Sequence, residues 1–267
     1  MSESYLKWRR IIKLPIQLLG QSGCRLECFG TVIYVDPYLS NSVQELESPD
    51  LKRLIPVPVR PEEIIDADWV LITHDHIDHC DPHTLPKIAR SSQQSRFVGP
   101  APVLEKLEDW GVSHTRLHLA KQEWSTISTD FNVYAIPAAH PTLERDASGN
   151  SLYIGYLLEV KGKRLYLAGD TGVTQELIDT LNTLRPISTA ILPVNEQNFF
   201  RARRGIIGNM SVREAFNLAV EAEINTVVPV HWDMFEANSV DLDEIHAVYN
   251  QMKPAFDLQI NPQSIVL

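Results

Sequence analysis

The chain has 267 residues, of which 44% are hydrophobic and 22% charged, so a sizeable core can form without disulfides or a structural metal. A formal net charge of −10 repels phosphate backbones and argues against nucleic acid as a partner. The three cysteines, Cys24, Cys28 and Cys80, fit no zinc or redox spacing and indicate free thiols in a reducing compartment, so we expect a cytoplasmic protein.

The first residues of the chain lack the apolar core and cleavage site of a signal peptide, and no apolar run approaches the roughly 18 residues of a membrane span. We therefore expect no membrane partner. The segment Lys7–Lys13 is basic, with apolar side chains between its charges. A membrane-surface helix is one interpretation; the favoured one is an arm that packs on its own domain or on a neighbouring subunit. We predict a single domain over residues 1–267, with residues 1–15 as this arm.

Short apolar or alternating runs broken by Gly and Pro predict strands in the first third of the chain. These strands cover IQLLG, CRLECFG, TVIYVDPYL and DADWVLITH, and two helices follow over PHTLPKIARSS and PVLEKLEDWG. Further strands are predicted over FNVYAIPAAH, SLYIGYLLEV and KRLYLAGDT. Helices TQELIDTLNTL, SVREAFNLAVEAE and DLDEIHAVYNQM then alternate with strands TAILPV, TVVPVHW and FDLQI. Meanders combined with strand–helix alternation favour two sheets with helices packed outside.

The stretch LITHDHIDHCD, residues 71–81, follows an apolar run and has the spacing H-x-H-x-D-H. A strand would place His74, His76 and Asp78 on one face, and a tight loop would turn His79 inward. Four such groups are costly to bury unpaired, whereas a divalent metal bonds neutral imidazole and carboxylate. The sequence therefore predicts a metal site; the alternative is a polar surface turn. Cys80 is interpreted as a small filler residue, with a ligand role as the alternative.

Three later strands end on a polar residue of the same kind. YAIPAAHPT carries His140, LYLAGDTG carries Asp170 and VVPVHWD carries His231. A single histidine at a strand end is more often structural than a ligand. All three residues nevertheless follow a buried strand and should lie at one rim of the sheets, so we predict that they join the first group.

This succession of motifs resembles the metallo-β-lactamase superfamily over nearly the whole chain. The resemblance implies an α/β fold, the αβ/βα four-layer sandwich, in which two mixed sheets carry helices on their outer faces and a metal site lies at one edge. Two metal sites are implied, with Asp170 bridging them. One would use His74, His76 and His140, and the other Asp78, His79 and His231.

The resemblance also implies a reaction, in which coordination lowers the pKa of a water from about 15.7 toward roughly 7 and the resulting hydroxide attacks a carbonyl or phosphorus. Asp78 and Asp170 would be catalytic, holding metal and orienting the hydroxide. Asp36, in YVDPYLS, matches an early strand-end aspartate of the family and should hydrogen-bond a ligand histidine, unless it only starts the turn before Pro37. Asp233 is expected to orient a ligand histidine as well.

The segments GQSGCRLECFGTVIYVDPYLS, GDT and HWDM are similar to the branch that includes the bacterial L-ascorbate-6-phosphate lactonases. This narrower resemblance implies a small anionic substrate, a phosphorylated lactone or ester such as L-ascorbate 6-phosphate, together with Mn²⁺ and a homo-oligomer. Imidazole-rich ligation suits Zn²⁺, while the carboxylates leave room for Mn²⁺ or Fe. We therefore expect one or two divalent ions per chain, Mn or Zn, with Fe as a further alternative.

Three arginines, Arg201, Arg203 and Arg204, lie close together in an otherwise acidic chain. Arginine grips phosphate in a bidentate fork, and helix N-terminal amides also favour anions, so the segment could bind the substrate phosphate. Asn209 is placed at a helix N-cap, and Asn195 at the end of strand TAILPV points toward the rim; both are candidate substrate contacts. A solvated basic loop, intersubunit salt bridges and a loop cap are the alternatives.

Several other activities share this motif pattern. A phosphodiesterase or another ester or thioester hydrolase of the same fold is one alternative, although the negative net charge argues against long nucleic acid. A di-iron redox protein of this fold would carry an acid where His76 stands and would need an electron-carrying partner domain. A non-catalytic metal-binding protein is the third alternative, and the complete ligand set argues against it.

Overall fold

Two mixed seven-stranded sheets form the framework of the computed structural model, which describes residues 11–267. The strand order is β14-β1-β2-β3-β4-β5-β6 in the first sheet and β13-β12-β11-β10-β9-β8-β7 in the second. The first-sheet strands are β1 (Lys13–Gly20), β2 (Gly23–Cys28), β3 (Thr31–Val35), β4 (Trp69–Leu71), β5 (Arg96–Gly99), β6 (Leu117–Leu119) and β14 (Ser264–Val266). The second-sheet strands are β7 (Ser125–Ser128), β8 (Phe131–Pro137), β9 (Ile154–Val160), β10 (Lys163–Leu167), β11 (Thr189–Pro193), β12 (Thr226–Val230) and β13 (Asp257–Leu258).

Each sheet is antiparallel in one half and parallel in the other. In the first sheet, β1 to β3 pair antiparallel and β3 to β6 pair parallel. In the second sheet, β7 to β10 pair antiparallel and β10 to β13 pair parallel. Antiparallel strands are joined by short turns, whereas parallel strands need crossover connections, and most of the helices lie in these crossovers.

Among residues 11–267, six α-helices accompany the sheets. They are α1 (Leu85–Ser91), α2 (Ala101–Asp109), α3 (Gln175–Thr183), α4 (Phe199–Arg203), α5 (Val212–Glu221) and α6 (Leu242–Met252). Helices α1 and α2 pack on the outer face of the first sheet, and α3, α5 and α6 pack on that of the second. A third apolar layer fills the space between the sheets, where Tyr156 and Leu158 of β9 are completely buried. Because parallel strands are covered on both faces, β11 and β12 are buried along their whole length.

The predicted fold class is confirmed: two mixed sheets with helices outside form the αβ/βα sandwich. Residues 13–15 of the predicted arm belong to β1, which begins at Lys13 and pairs with β14 near the C-terminus. The rest of the arm, residues 1–10, lies outside the described residues. The single-domain assignment stays a prediction. Among residues 11–267, no helix combines the length and the apolar character needed to cross a membrane.

The carboxyl ends of the central strands meet at one rim of the sandwich. Strands β3 and β4 of the first sheet end there, and so do β8, β10, β11 and β12 of the second. Residues that directly follow these strands are therefore brought together although they are far apart in sequence. All of the predicted ligand residues lie in such segments.

Candidate metal centre

The backbone turns sharply where strands deliver the candidate ligands. His231 directly follows β12 and has a φ of 61°, a left-handed conformation that is uncommon for a residue with a side chain. Gly169, just before Asp170, has a φ of 60°, and a Cβ there would lie 2.8 Å from the side chain of Thr73. Glycine is therefore needed at position 169, because the end of β10 passes close to the segment that carries the first histidines.

The seven predicted ligand residues converge on one point at the rim. Their donor atoms form three groups, and within each group the atoms lie within 4.8 Å of one another. The groups are His74, His76 and His140; His74, His79 and Asp170; and Asp78, His79 and His231. The Asp170 carboxylate also approaches the first and third groups, since its Oδ2 lies 3.6 Å from His140 Nε2 and 3.2 Å from His231 Nε2. This geometry matches two adjacent sites with a shared carboxylate.

Buried polar atoms without partners fit a metal at this point. His74 Nε2, His79 Nε2, His231 Nε2 and Asp170 Oδ1 are inaccessible to solvent and make no hydrogen bond of good geometry among the described residues, although His79 Nε2 lies 3.3 Å from Asp170 Oδ1 and His231 Nε2 lies 3.2 Å from Asp170 Oδ2. Leaving such atoms unpaired costs about 1–3 kcal/mol each. Lone pairs on imidazole nitrogen and carboxylate oxygen are the donors that divalent transition metals prefer. The donor set present therefore suits one or two such ions.

The charges of the centre depend on each other. Burial lowers the pKa of His231, but Asp170 and Asp78 outweigh it and raise that pKa to about 9. Burial also opposes ionisation of Asp170, yet His231 and His79 hold its pKa well below the usual range. Burial dominates at His140 and lowers its pKa to about 4. Without metal, protons on some histidines balance the carboxylates, and a divalent cation can take their place.

Asp36 makes the contact that was expected of it. Its Oδ2 lies 2.8 Å from His79 Nδ1, and its Oδ1 accepts a hydrogen bond from the backbone N–H of Thr73. Thr73 Oγ1 donates to Asp36 Oδ2 and lies 3.0 Å from His74 Nδ1. A carboxylate on Nδ1 keeps the proton there and leaves Nε2 of His79 free to face the centre.

Gln21 and Tyr153 also contact the centre, and neither was predicted from the sequence. Gln21 Nε2 donates to Asp78 Oδ2 at 2.6 Å, while its backbone carbonyl accepts from His231 N. The Tyr153 ring lies within 5.7 Å of the rings of His74, His76 and His140. The one sequence signal for Gln21 was its place in the turn Gly-Gln-Ser-Gly between two strands.

A cavity of about 460 Å³ opens over the centre, and five of the candidate ligands line it. One wall comes from the segment after β3, with Val43, Glu47 and Leu51, and the opposite wall comes from residues 204–207. Phe235 and Asn238 line it as well. Burial and the charge of Asp78 raise the pKa of Glu47. The volume suits a small molecule.

Of the three arginines, only Arg204 lines this cavity. The prediction for Arg201 is wrong: its guanidinium is buried and donates to the backbone carbonyls of Glu196 and Ser239, each at 2.6 Å. Those donors are therefore committed to the fold. Arg203 is exposed on α4 and is not among the cavity-lining residues.

The two predicted asparagines lie behind the cavity wall. Asn195 and Asn209 are buried, neither lines the cavity, and their side chains hydrogen-bond each other at 2.9 Å. The N-cap of α5 is Ser211, in a capping box with Glu214, so Asn209 was misplaced by two residues. The prediction that Asn195 and Asn209 contact the substrate directly is therefore corrected. Their side chains contact each other, and Asn195 also contacts Asn238.

The remaining two predictions concern Asp233 and Cys80. Asp233 lines a different cavity, of about 570 Å³, beside Trp232, and His231 Nδ1 has no hydrogen-bond partner among the described residues. Asp233 makes no hydrogen bond to His231 among the described residues, and its orienting role stays a prediction. Cys80 is buried outside the three donor groups, and burial raises the pKa of its thiol, as expected of a filler residue.

Fold and centre together define a class: a sandwich of two mixed sheets whose rim gathers five histidines and two carboxylates. Residues 31–232 match the model of the beta-lactamase superfamily domain. Since this match covers well over half of its length, the chain belongs to the beta-lactamase superfamily.

Individual relatives are more distant. The chain is 26% identical over 223 residues to an uncharacterized protein of Mycobacterium tuberculosis, which covers 84% of this chain but only 59% of that relative. It is 24% identical over 255 residues to a UPF0173 metal-dependent hydrolase of Pyrococcus abyssi, covering 92% of this chain and 100% of that relative.

Among solved structures, a metallo hydrolase of the archaeon Ignicoccus hospitalis superposes with a TM-score of 0.69 at 19% identity, over 96% of this chain and 99% of the other. A likeness at this identity shows the shared fold. The narrower resemblance to the L-ascorbate-6-phosphate lactonases stays a prediction.

Proposed function

We propose that the protein is a metal-dependent hydrolase. The observation that carries this proposal is the set of buried imidazole and carboxylate atoms that make no hydrogen bond and belong to a cluster whose His76, Asp78, His140, Asp170 and His231 line a cavity open to small molecules. One ion would be held by His74, His76 and His140, the other by Asp78, His79 and His231, with Asp170 between them. The similarity to a metal-dependent hydrolase of Pyrococcus abyssi supports the same activity class.

Divalent metal at this centre supplies Lewis-acid activation of water and stabilises negative charge on the substrate. Asp78 and Asp170 would hold the metal and orient the water that it activates. Asp36 keeps the proton of His79 on Nδ1, and Gln21 donates to Asp78 Oδ2, the oxygen that also lies 3.5 Å from His231 Nε2. No nucleophile from a serine or cysteine is required. Mn²⁺ and Zn²⁺ both suit these ligands, and Fe remains an alternative.

The proposed substrate is a small anionic lactone or ester with a phosphate, such as L-ascorbate 6-phosphate. Support comes from the cavity volume of about 460 Å³ and from Arg204 on its wall. An arginine in a bidentate contact with phosphate would place the carbonyl over the centre while it neutralises the anion. Phosphodiester or thioester hydrolysis by the same centre remains the alternative.

We further propose a cytoplasmic homo-oligomer. All three cysteines are free and buried, which suits a reducing compartment. Phe199 and Phe200 on α4 are exposed by 72% and 75% and stand beside the cavity wall. Large apolar side chains that are so exposed next to a functional cavity are typical of a subunit interface.

A substrate panel tests the activity. The metal-loaded protein is assayed with a phosphorylated lactone, its dephosphorylated analogue, a thioester and a phosphodiester. We expect the phosphorylated lactone to be hydrolysed fastest, and His76→Ala and Asp170→Ala to abolish hydrolysis while circular dichroism stays unchanged. Preference for the phosphodiester would support the alternative, and activity that survives both substitutions would contradict the proposal.

A further inference from the structure

A chain of three side-chain amides runs from the interior to the cavity wall. Asn209 Nδ2 donates to Asn195 Oδ1 at 2.9 Å, and Asn195 Nδ2 donates to Asn238 Oδ1 at 3.1 Å. All three residues are buried, and only Asn238 lines the cavity. Oδ1 of Asn238 thus accepts a hydrogen bond from Asn195, which does not line the cavity. Nδ2 of Asn238 has no hydrogen-bond partner among the described residues.

The segments that carry this chain are braced against each other. Arg201 donates from one nitrogen to Glu196 O and from another to Ser239 O, which ties the loop after β11 to the residue next to Asn238. The backbone of Asn209 also pairs with that of Asn195 and with Gln197 N. A side chain supported in this way loses little conformational freedom when it binds a ligand.

We propose that Asn238 presents a fixed hydrogen-bond donor to an anionic oxygen of the substrate, and that Asn195 is the positioning residue that sets its direction. A primary amide can offer either a donor or an acceptor, so a free asparagine would not discriminate. Here Oδ1 of Asn238 already accepts one hydrogen bond from Asn195, and the N–H₂ group is the part of the amide left without a partner among the described residues. Arg204 lines the same cavity, so the two donors can share an oxyanion or phosphate group.

This inference rests on the proposed hydrolase function, because it names a contact to the substrate of that centre. It adds a specificity element that repels ligands presenting only donors and favours carboxylate, phosphate or a developing oxyanion. Asn195 and Asn209 were predicted from the sequence to contact the substrate. In this arrangement they act on the substrate through Asn238 instead.

The test measures the affinity of inorganic phosphate for the metal-loaded protein by calorimetry at pH 7.5. Asn238→Leu removes the donor at nearly constant volume, and Asn238→Asp places a negative acceptor there. A hydrogen bond to a charged group contributes about 1.5–3 kcal/mol, so we expect Asn238→Leu to weaken phosphate binding by about ten- to a hundredfold and Asn238→Asp by at least as much. Asn198→Asp is the matched control: it adds the same charge to the neighbouring loop at an N-cap, where aspartate is favoured, and should leave binding unchanged.

A double-mutant cycle tests the role of Asn195. If Asn195 acts through Asn238, Asn195→Leu weakens phosphate binding, and the double variant with Asn238→Leu binds no more weakly than Asn238→Leu alone. Additive losses would show that Asn195 is merely structural. Unchanged binding in both Asn238 variants, equal losses in Asn198→Asp, or no phosphate binding by the unmodified protein would overturn the inference. Metal content and hydrolysis, measured on the same samples, report separately on the proposed function.

Discussion

The pair formed by Asp170 and His231 shows how single residues prepare the centre for a cation. Their side chains are 3.2 Å apart and almost completely buried, so each stabilises the charged form of the other. In the metal-free protein the proton on His231 compensates part of the carboxylate charge. Metal binding must displace that proton, because the ligand form of histidine is neutral.

The raised pKa of His231 predicts the pH dependence of metal affinity. Since that pKa is about 9, His231 is mostly protonated at pH 7, and a metal ion must release its proton. Burial lowers the pKa of His79 too, but Asp170 and Asp78 outweigh it and hold that pKa well above its usual value. Affinity should therefore rise as the pH increases up to at least 9. Competition with a chelator from pH 6.5 to 10 measures this, and an affinity independent of pH below 9 would contradict the assigned proton.

Asp36 offers a second test at the same scale. Asp36→Asn keeps the size of the side chain but removes the charge that holds the His79 proton on Nδ1. Loss of such a supporting contact typically lowers metal affinity by about ten- to a hundredfold. We expect this loss with little change in the far-ultraviolet spectrum. Asp66→Asn, a surface substitution at a salt bridge with Arg25, is the control and should leave metal affinity unchanged.

At the scale of elements, the short helix α4 illustrates what a local pattern can and cannot predict. The sequence identified its arginines as a group but could not separate their roles, because α4 is only five residues long and its contacts come from distant segments. Arg201 reaches Ser239, 38 positions away, and only the fold reveals that. Arg204, at the end of the helix, faces the cavity.

Two matched substitutions separate these roles. Arg201→Met leaves the carbonyls of Glu196 and Ser239 without their donors, and we expect it to lower the free energy of unfolding by about 2 kcal/mol. Arg204→Met should leave stability unchanged but lower kcat/KM on a phosphorylated substrate by about ten- to a hundredfold. Urea denaturation and kinetics on both variants measure these two effects, with Arg203→Met at an exposed position as the control. A loss of stability in Arg204→Met together with a loss of kcat/KM alone in Arg201→Met would contradict the structure.

The strongly periodic elements were predictable from the sequence, whereas three of the four edge strands of the described sheets, β6, β7 and β14, were not; the fourth, β13, lies within the predicted strand FDLQI. Helices α3, α5 and α6 lie within one or two residues of their predicted bounds, because capping residues and apolar spacing mark them. Strands β6 and β7 are short, partly exposed edge strands with no distinct pattern, and they were missed. For the centre, histidines and aspartates at strand ends gave the candidate ligands. Supporting residues such as Gln21 and Asn238 could not be found, since their partners lie far away in sequence.

At the scale of the whole molecule, exposed apolar side chains bear on assembly. Phe199 and Phe200 project from α4 with most of their surface accessible in a single chain. If they lie in a subunit interface, Phe199→Ser with Phe200→Ser should shift the species seen by light scattering at micromolar concentration toward the 30.2 kDa monomer. The matched change Leu54→Ser, at another exposed position, should not. A monomeric unmodified protein would contradict the proposed oligomer.

The central claim is that the rim of the sandwich is a metal centre that hydrolyses its substrate. It is tested most directly by metal analysis of the purified protein, combined with hydrolysis assays before chelation, after chelation and after Mn²⁺ or Zn²⁺ is returned. We predict one or two divalent ions per chain, loss of hydrolysis together with the metal, and recovery when metal is restored. The fold itself should persist without metal, because its core lies between and outside the sheets rather than at the rim. Metal-free protein with full hydrolytic activity would contradict the account.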